Sequence, residues 1–196
     1  MPRSRTIITL GALLAAMTVG TFALLALETT PAQPSVLAAL AARPIASPLE
    51  KSVDAAILPS EAPLQVGRWT SIIVHGISGG PNSPCATGSH FFVDVADGAG
   101  NCTIAAGDLW AGQAPSSTRL VPDETFNAGA INICLAGDFS AAVPANEQME
   151  ALAKLVGELQ GRLGIPADHV YLHRDLTGHV CPGRAFPVEE FRRRLR

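Results

Sequence analysis

Apolar residues in this chain fall into three kinds of run. The first, residues 6–27, holds 22 positions without a charge. The second kind is short and often β-branched: residues 71–77, 90–95, 103–106, 130–135 and 170–172. Turn residues such as Asp97-Gly98-Ala99-Gly100-Asn101 and Ala136-Gly137-Asp138 close these runs. That pattern predicts buried strands. The third kind is helical. Met149, Leu152, Val156, Leu159 and Leu163 recur at alternating steps of three and four, which makes one apolar stripe. Pro144 and Asn146 supply its start, and Gly164 with Pro166 its stop. Residues 187–195 predict a closing helix with proline at its head. Residues 111–127 are polar and irregular and predict a long loop over one face. Strands interleaved with one long helix predict a single α/β domain with a central mixed β-sheet flanked by helices.

The flanks of these runs divide the chain. Arg3 and Arg5 precede the uncharged stretch, the layout of an export leader. That stretch exceeds an ordinary leader core and is long enough to cross a bilayer of about 30 Å. Thr30-Pro31-Ala32 offers small residues for cleavage. Two readings stay open for residues 1–32: a cleaved signal peptide or a membrane anchor through residues 6–27. Both put the rest outside the cytoplasm, periplasmic or extracellular. Residues 33–67 are rich in Pro and Ala and read as a linker. The folded domain is expected over residues 68–196.

Charge excludes one class of partner. Without residues 1–32 the chain loses Arg3, Arg5 and Glu28, leaving 12 basic against 16 acidic residues, a net −4. That argues against nucleic acid. The basic run Arg192-Arg193-Arg194 with Arg196 reads as a solvated helix end.

The candidate chemistry lies in His173-Arg174-Asp175-Leu176-Thr177-Gly178-His179-Val180-Cys181-Pro182-Gly183, with seven residues between the first imidazole and the thiol. A further imidazole, His75, follows the apolar run Ser71-Ile72-Ile73-Val74. Two His and one Cys suit Zn²⁺ with a fourth position left for water, which implies hydrolysis. The chain has four cysteines, and an even count in an exported chain suggests disulfides. Cys134 lies inside a strand. Cys85 and Cys102 lie in or near loops flanking one strand and make the plausible bridge. A competing bridge through Cys181 would destroy the zinc site.

From about Trp69 to Arg194 the chain resembles the zinc-dependent N-acetylmuramoyl-L-alanine amidases, the family that includes phage-type lysozyme amidases and peptidoglycan recognition proteins. The matching pieces come in order: Ile72-Ile73-Val74-His75, Ser89-His90-Phe91-Phe92-Val93, Ile131-Asn132-Ile133-Cys134-Leu135-Ala136-Gly137-Asp138-Phe139, the 147–163 helix with Gly164-Ile165-Pro166, Leu172-His173-Arg174-Asp175, and Cys181-Pro182-Gly183. The resemblance implies that His75, His173 and Cys181 are the zinc ligands. It also implies hydrolysis of the amide between muramic acid and L-alanine, with peptidoglycan or muropeptides as substrate.

Departures from the family pattern fall on the helper residues. Ser89 stands where the family often has tyrosine, and Cys134 where some members have a catalytic glutamate. His179 stands where many members have lysine or threonine, and is read as an oxyanion donor or proton shuttle. An alternative follows: a peptidoglycan-binding module of the same fold with impaired catalysis. A third reading is an exported disulfide-stabilised domain without metal. His90 reads as a hydrogen-bonded strand residue rather than a ligand, and His169 as a surface residue. Arg174 and Asp175 read as braces of the ligand loop. Trp110 and Phe126 are candidate groove aromatics, though each more often is simply a partly buried ring.

Overall fold

The computed structural model describes residues 48–58, 63–77, 88–96, 101–116 and 118–195, all within a compact unit spanning Ala46–Arg196. Residues 1–32, for which a signal peptide or anchor is expected, Cys85 and residues 78–87 lie outside the described residues. Among the described residues no helix is long and apolar enough to cross a membrane. The elements in chain order are α1 (Pro48–Ile57), β1 (Ser71–Ile77), β2 (Phe91–Ala96), β3 (Asn101–Ala106), α2 (Asp108–Ala111), α3 (Glu124–Ala128), β4 (Ala130–Ala136), α4 (Asn146–Leu163), a 3₁₀ turn (Ala167–His169), β5 (Val170–Leu172), α5 (His173–Thr177) and α6 (Val188–Arg193).

The five strands form one sheet in the order β3-β2-β4-β1-β5. The β2–β3 pair is antiparallel, and β1–β4, β1–β5 and β2–β4 are parallel. The expected α/β domain with a mixed sheet flanked by helices is what the chain forms. Alternation along the strands sorts side chains to two faces. Ile72, Val74, Phe91, Val93, Ile131, Ile133 and Leu135 point to one face, where the α4 residues Leu152, Leu155, Val156 and Leu159 cover them. Ile73 and Ala130 point to the other, under Leu120, Phe126 and Leu176. The α4 helix runs from Asn146 to Leu163 and ends at Gly164, as its periodicity and stop signals predict.

Two expectations need correction, and one junction is new. The 33–67 linker reading does not hold for residues 48–57, which form α1. Val53, Ala56 and Ile57 of α1 are buried in the main core, and the Ile57 carbonyl accepts from Trp110 Nε1 at 3.1 Å. Pro-rich flanks hid a short amphipathic run in which Leu49, Val53, Ala56 and Ile57 share a face. The long loop at 111–127 ends in a helix, α3, whose N-cap Asp123 accepts from the Thr125 and Phe126 amides. The strand ending at Leu172 passes directly into α5, so His173 opens a helical turn.

Candidate active site

The parallel strands bring their carboxyl ends to one edge, where α/β sheets usually hold ligands. His75 lies near the end of β1, in register with Cys134 on β4. On the other side of β1, Val74 pairs with Leu172, so His173 follows at the adjacent position beyond the end of β5. Cys181 completes the grouping: its Sγ lies 3.4 Å from the Gly76 amide nitrogen. Backbone topology thus gathers two imidazoles and a sulfur, drawn from segments about a hundred residues apart, at one sheet edge.

The strap that carries Cys181 is fixed by close backbone packing. A Cβ on Gly76 would lie 2.8 Å from the Pro182 carbonyl oxygen. A Cβ on Gly183 would lie 2.1 Å from the Phe139 carbonyl carbon. Neither position has room for any other residue. Arg174 latches the strap from α5. Its amide donates to the Cys181 carbonyl at 3.0 Å, its Nε to the same oxygen at 3.3 Å, and its guanidinium also reaches the Gly183 carbonyl. Asp175 accepts from the Leu172 amide at 3.0 Å and pairs with Arg192 at 3.2 Å. Both residues brace the loop, as read from the sequence.

Each imidazole is held through Nε2. His75 Nε2 lies 3.1 Å from Ser89 Oγ, with both residues buried. His173 Nε2 donates to the Leu120 carbonyl at 2.8 Å; a carbonyl only accepts, so the proton is on Nε2. Metal-ligating histidines carry this kind of outer hydrogen bond, and an ion would then be met at Nδ1. The donor set is that of zinc sites. These residues match a zinc ion in kind. As the side chains stand, no group of three His, Cys, Asp or Glu among the described residues is drawn close enough to hold a metal.

Beside His173 runs an open groove of about 550 Å³. One wall is the 119–122 segment; the other is α5 with His179. Asn127 holds the first wall, donating to the Val121 carbonyl at 2.7 Å and accepting from its amide at 3.3 Å. The His179 ring lies 6.1 Å from that of His173, and the residue is exposed.

The remaining candidates sort cleanly. His90 is fully buried, edge-on between Trp69 and Trp110. Its Nδ1 accepts from the Asn132 amide at 2.9 Å and its Nε2 donates to the Ala114 carbonyl at 2.9 Å. Burial chiefly, with Arg68 nearby and against the Ala114 hydrogen bond, lowers its pKa to about 4. It is a neutral structural clamp. His169 is exposed, bonded to the Thr70 carbonyl. Trp110 is core, not groove, and Phe126 packs on Tyr171. Cys181 carries a thiol and no disulfide, as do Cys102 and Cys134. Cys102's expected partner, Cys85, lies outside the described residues. Burial, with Asp94 and Glu147 close by, pushes the Cys102 thiol up to about 11, which leaves it a poor nucleophile. Sequence reasoning missed the roles of Gly76 and of the Leu120 carbonyl. A glycine directly after a candidate ligand was the available signal for the first; a backbone acceptor carries none.

A mixed-sheet α/β domain with two imidazoles and a thiol near the carboxyl ends of its parallel strands defines the class. The chain belongs to the N-acetylmuramoyl-L-alanine amidase family, whose model matches residues 65–184. Among solved structures it is similar to the N-acetylmuramoyl-L-alanine amidase LysC from Clostridium intestinale, at 25% identity over 68% of this chain and 90% of that one, TM-score 0.51. It also shares its fold with the amidase AmiD from E. coli, solved with the substrate anhydro-N-acetylmuramic acid-L-Ala-D-γ-Glu-L-Lys (21% identity, 68% of this chain, 60% of that one, TM-score 0.53). A third is AmpDh3 from Pseudomonas aeruginosa, solved with an anhydromuramic pentapeptide (17% identity, 68% and 62% coverage, TM-score 0.52). No curated protein matches by sequence.

Proposed function

We propose that this chain is a zinc hydrolase that cleaves the amide between N-acetylmuramic acid and L-alanine in peptidoglycan or in muropeptides. The observation that carries the reading is that strand register sets His75 and His173 at the carboxyl ends of neighbouring strands, with Cys181 against Gly76, beside an open groove. His75, His173 and Cys181 would hold the ion. Bound Zn²⁺ supplies Lewis acidity and acidifies water towards a pKa of about 7.

The chain's own side chains supply the rest. His179, beside His173 on the same wall of the groove, donates to the oxygen that gains charge as the amide is attacked, or carries the proton from the attacking water to the leaving nitrogen. Leu120, Val121 and Leu176 give the groove an apolar lining suited to the lactyl and alanyl methyl groups. The Leu120 carbonyl keeps the His173 ring fixed while substrate lies against the same segment. The muropeptides seen with AmiD and AmpDh3 support the substrate class. The uncharged run at 6–27 supports export to the periplasm or beyond, with or without a retained anchor.

Binding without turnover is the second reading. It is favoured by Cys134, a buried thiol in register with His75 where some members of the family have a catalytic glutamate. Purified protein is to be incubated with muropeptides before and after chelation, with released stem peptide read by mass spectrometry. Release that chelation abolishes and zinc restores is the expected result. In the His173→Ala variant we expect zinc content to fall below stoichiometric and the rate to drop at least about 100-fold. Zinc-loaded protein that retains muropeptides and releases no peptide establishes the second reading.

A further inference from the structure

We infer that Ser89 is a positioning residue that sets which nitrogen of His75 faces the metal; the inference rests on the zinc reading above. Ser89 Oγ is 3.1 Å from His75 Nε2, and the two residues are 1% and 2% exposed. In such a place this contact is little diluted by water.

The hydroxyl is held by its neighbour in sequence. His90 is tied to β4 by its amide, which donates to the Asn132 carbonyl at 2.9 Å, and its own carbonyl accepts from Gly107 at 2.9 Å. Its ring takes the Asn132 amide and gives to Ala114. With residue 90 fixed by four hydrogen bonds, residue 89 has little freedom to drift from His75. The position of the hydroxyl is therefore set by β4 and the 107–114 segment, not by the metal.

A hydroxyl can accept or donate, and the two cases differ in consequence. If it accepts, the proton of His75 is on Nε2 and the Nδ1 lone pair points at the ion. If it donates, the proton is on Nδ1 and neither nitrogen can ligate. Ser89 thus does for His75 what the Leu120 carbonyl does for His173. Outer partners of this kind are worth about 10–100-fold in metal affinity. The position that the family often fills with tyrosine is given over here to ligand orientation.

The test uses the full chain loaded with Zn²⁺. Long-range ¹H–¹⁵N correlation locates the His75 ring proton, and competition with a chromophoric chelator gives zinc affinity. We expect the Nε2–H tautomer in the parent, a 10–100-fold affinity loss in Ser89→Ala, and recovery to within a few-fold in Ser89→Thr. A Ser89→Ala protein within twofold of a zinc-binding parent overturns the inference alone. A parent that takes up no zinc overturns the zinc reading with it. Should Ser89→Ala lose its fold, the parent spectrum decides: a proton on His75 Nδ1 overturns the assignment.

Discussion

The two faces of the sheet are built from alternate residues of the same strands, yet they are different materials. The face under α4 is continuous Ile, Val, Leu and Phe, closed to water. The opposite face interleaves apolar residues with His75, Cys134, Asn132 and Ser71. Its apolar clusters are small. Ser71 Oγ and both amide atoms of Asn132 are buried there without a hydrogen-bond partner. A buried polar group left unmatched costs on the order of 1–3 kcal/mol. The first face therefore carries stability, and the second spends some of it to place reactive groups at the strand ends.

The sharpest way to break this contrast uses neighbours in β4. Ile133→Ala should cost about 2–5 kcal/mol in urea unfolding. Cys134→Ala, one residue on and facing the other way, should cost about 1 kcal/mol. Equal losses would erase the distinction. His90, at the boundary between the faces, should show itself in pH. Its folded pKa near 4 lies below the ordinary 6.5, so between those values the unfolded chain holds a proton that the native state lacks. Stability is full above pH 6.5, falls as pH drops from 6.5 towards 4, and levels off below. The loss is on the order of 3 kcal/mol. Unfolding midpoints across that window measure it, and His90→Gln should flatten the slope.

A smaller effect is expected at the strap. Arg174→Leu removes charged donors from two carbonyls and should cost about 1.5–3 kcal/mol with weaker zinc retention. Arg174→Lys should not restore it, because an ammonium cannot reproduce the fork. Smallest of all is Arg192→Ala. Its partner Asp175 is held independently by the Leu172 amide, and the pair is partly exposed, so a change within about 1 kcal/mol and unaltered turnover are expected. A large loss there would mean that α6 braces the site more than the contacts indicate.

Much of the frame is legible in the residues. The β-branched runs at 71–77 and 130–136 must be buried on both faces, and the 3-4 spacing from Met149 to Leu163 leaves little choice but a helix. His75, His173 and Cys181 stand out because two imidazoles follow β-branched or apolar strand runs and a thiol lies eight residues after the second. What is not legible is set by tertiary neighbours. The local signal for α1 is one short apolar face between Pro-rich flanks, and that face acquires meaning only against Trp110 and α4. The helical turn opened by His173 depends on Asp175 reaching back to the Leu172 amide. The proton on His173 is fixed by a main-chain oxygen at Leu120, which any residue could provide. His179 sits beside His173 in the groove, their rings 6.1 Å apart, a neighbourhood that only the folded loop creates.

The glycine contact at position 76 has a temporal consequence. The sulfur of residue 181 seats against an amide 105 positions earlier in the chain, across a gap with no room for a side chain. A chain whose sheet and long helix have formed has Cys181 beside Gly76 only when the strap has docked. If His75, His173 and Cys181 hold an ion, its retention would report strap closure, which a global probe of helix or sheet content does not see.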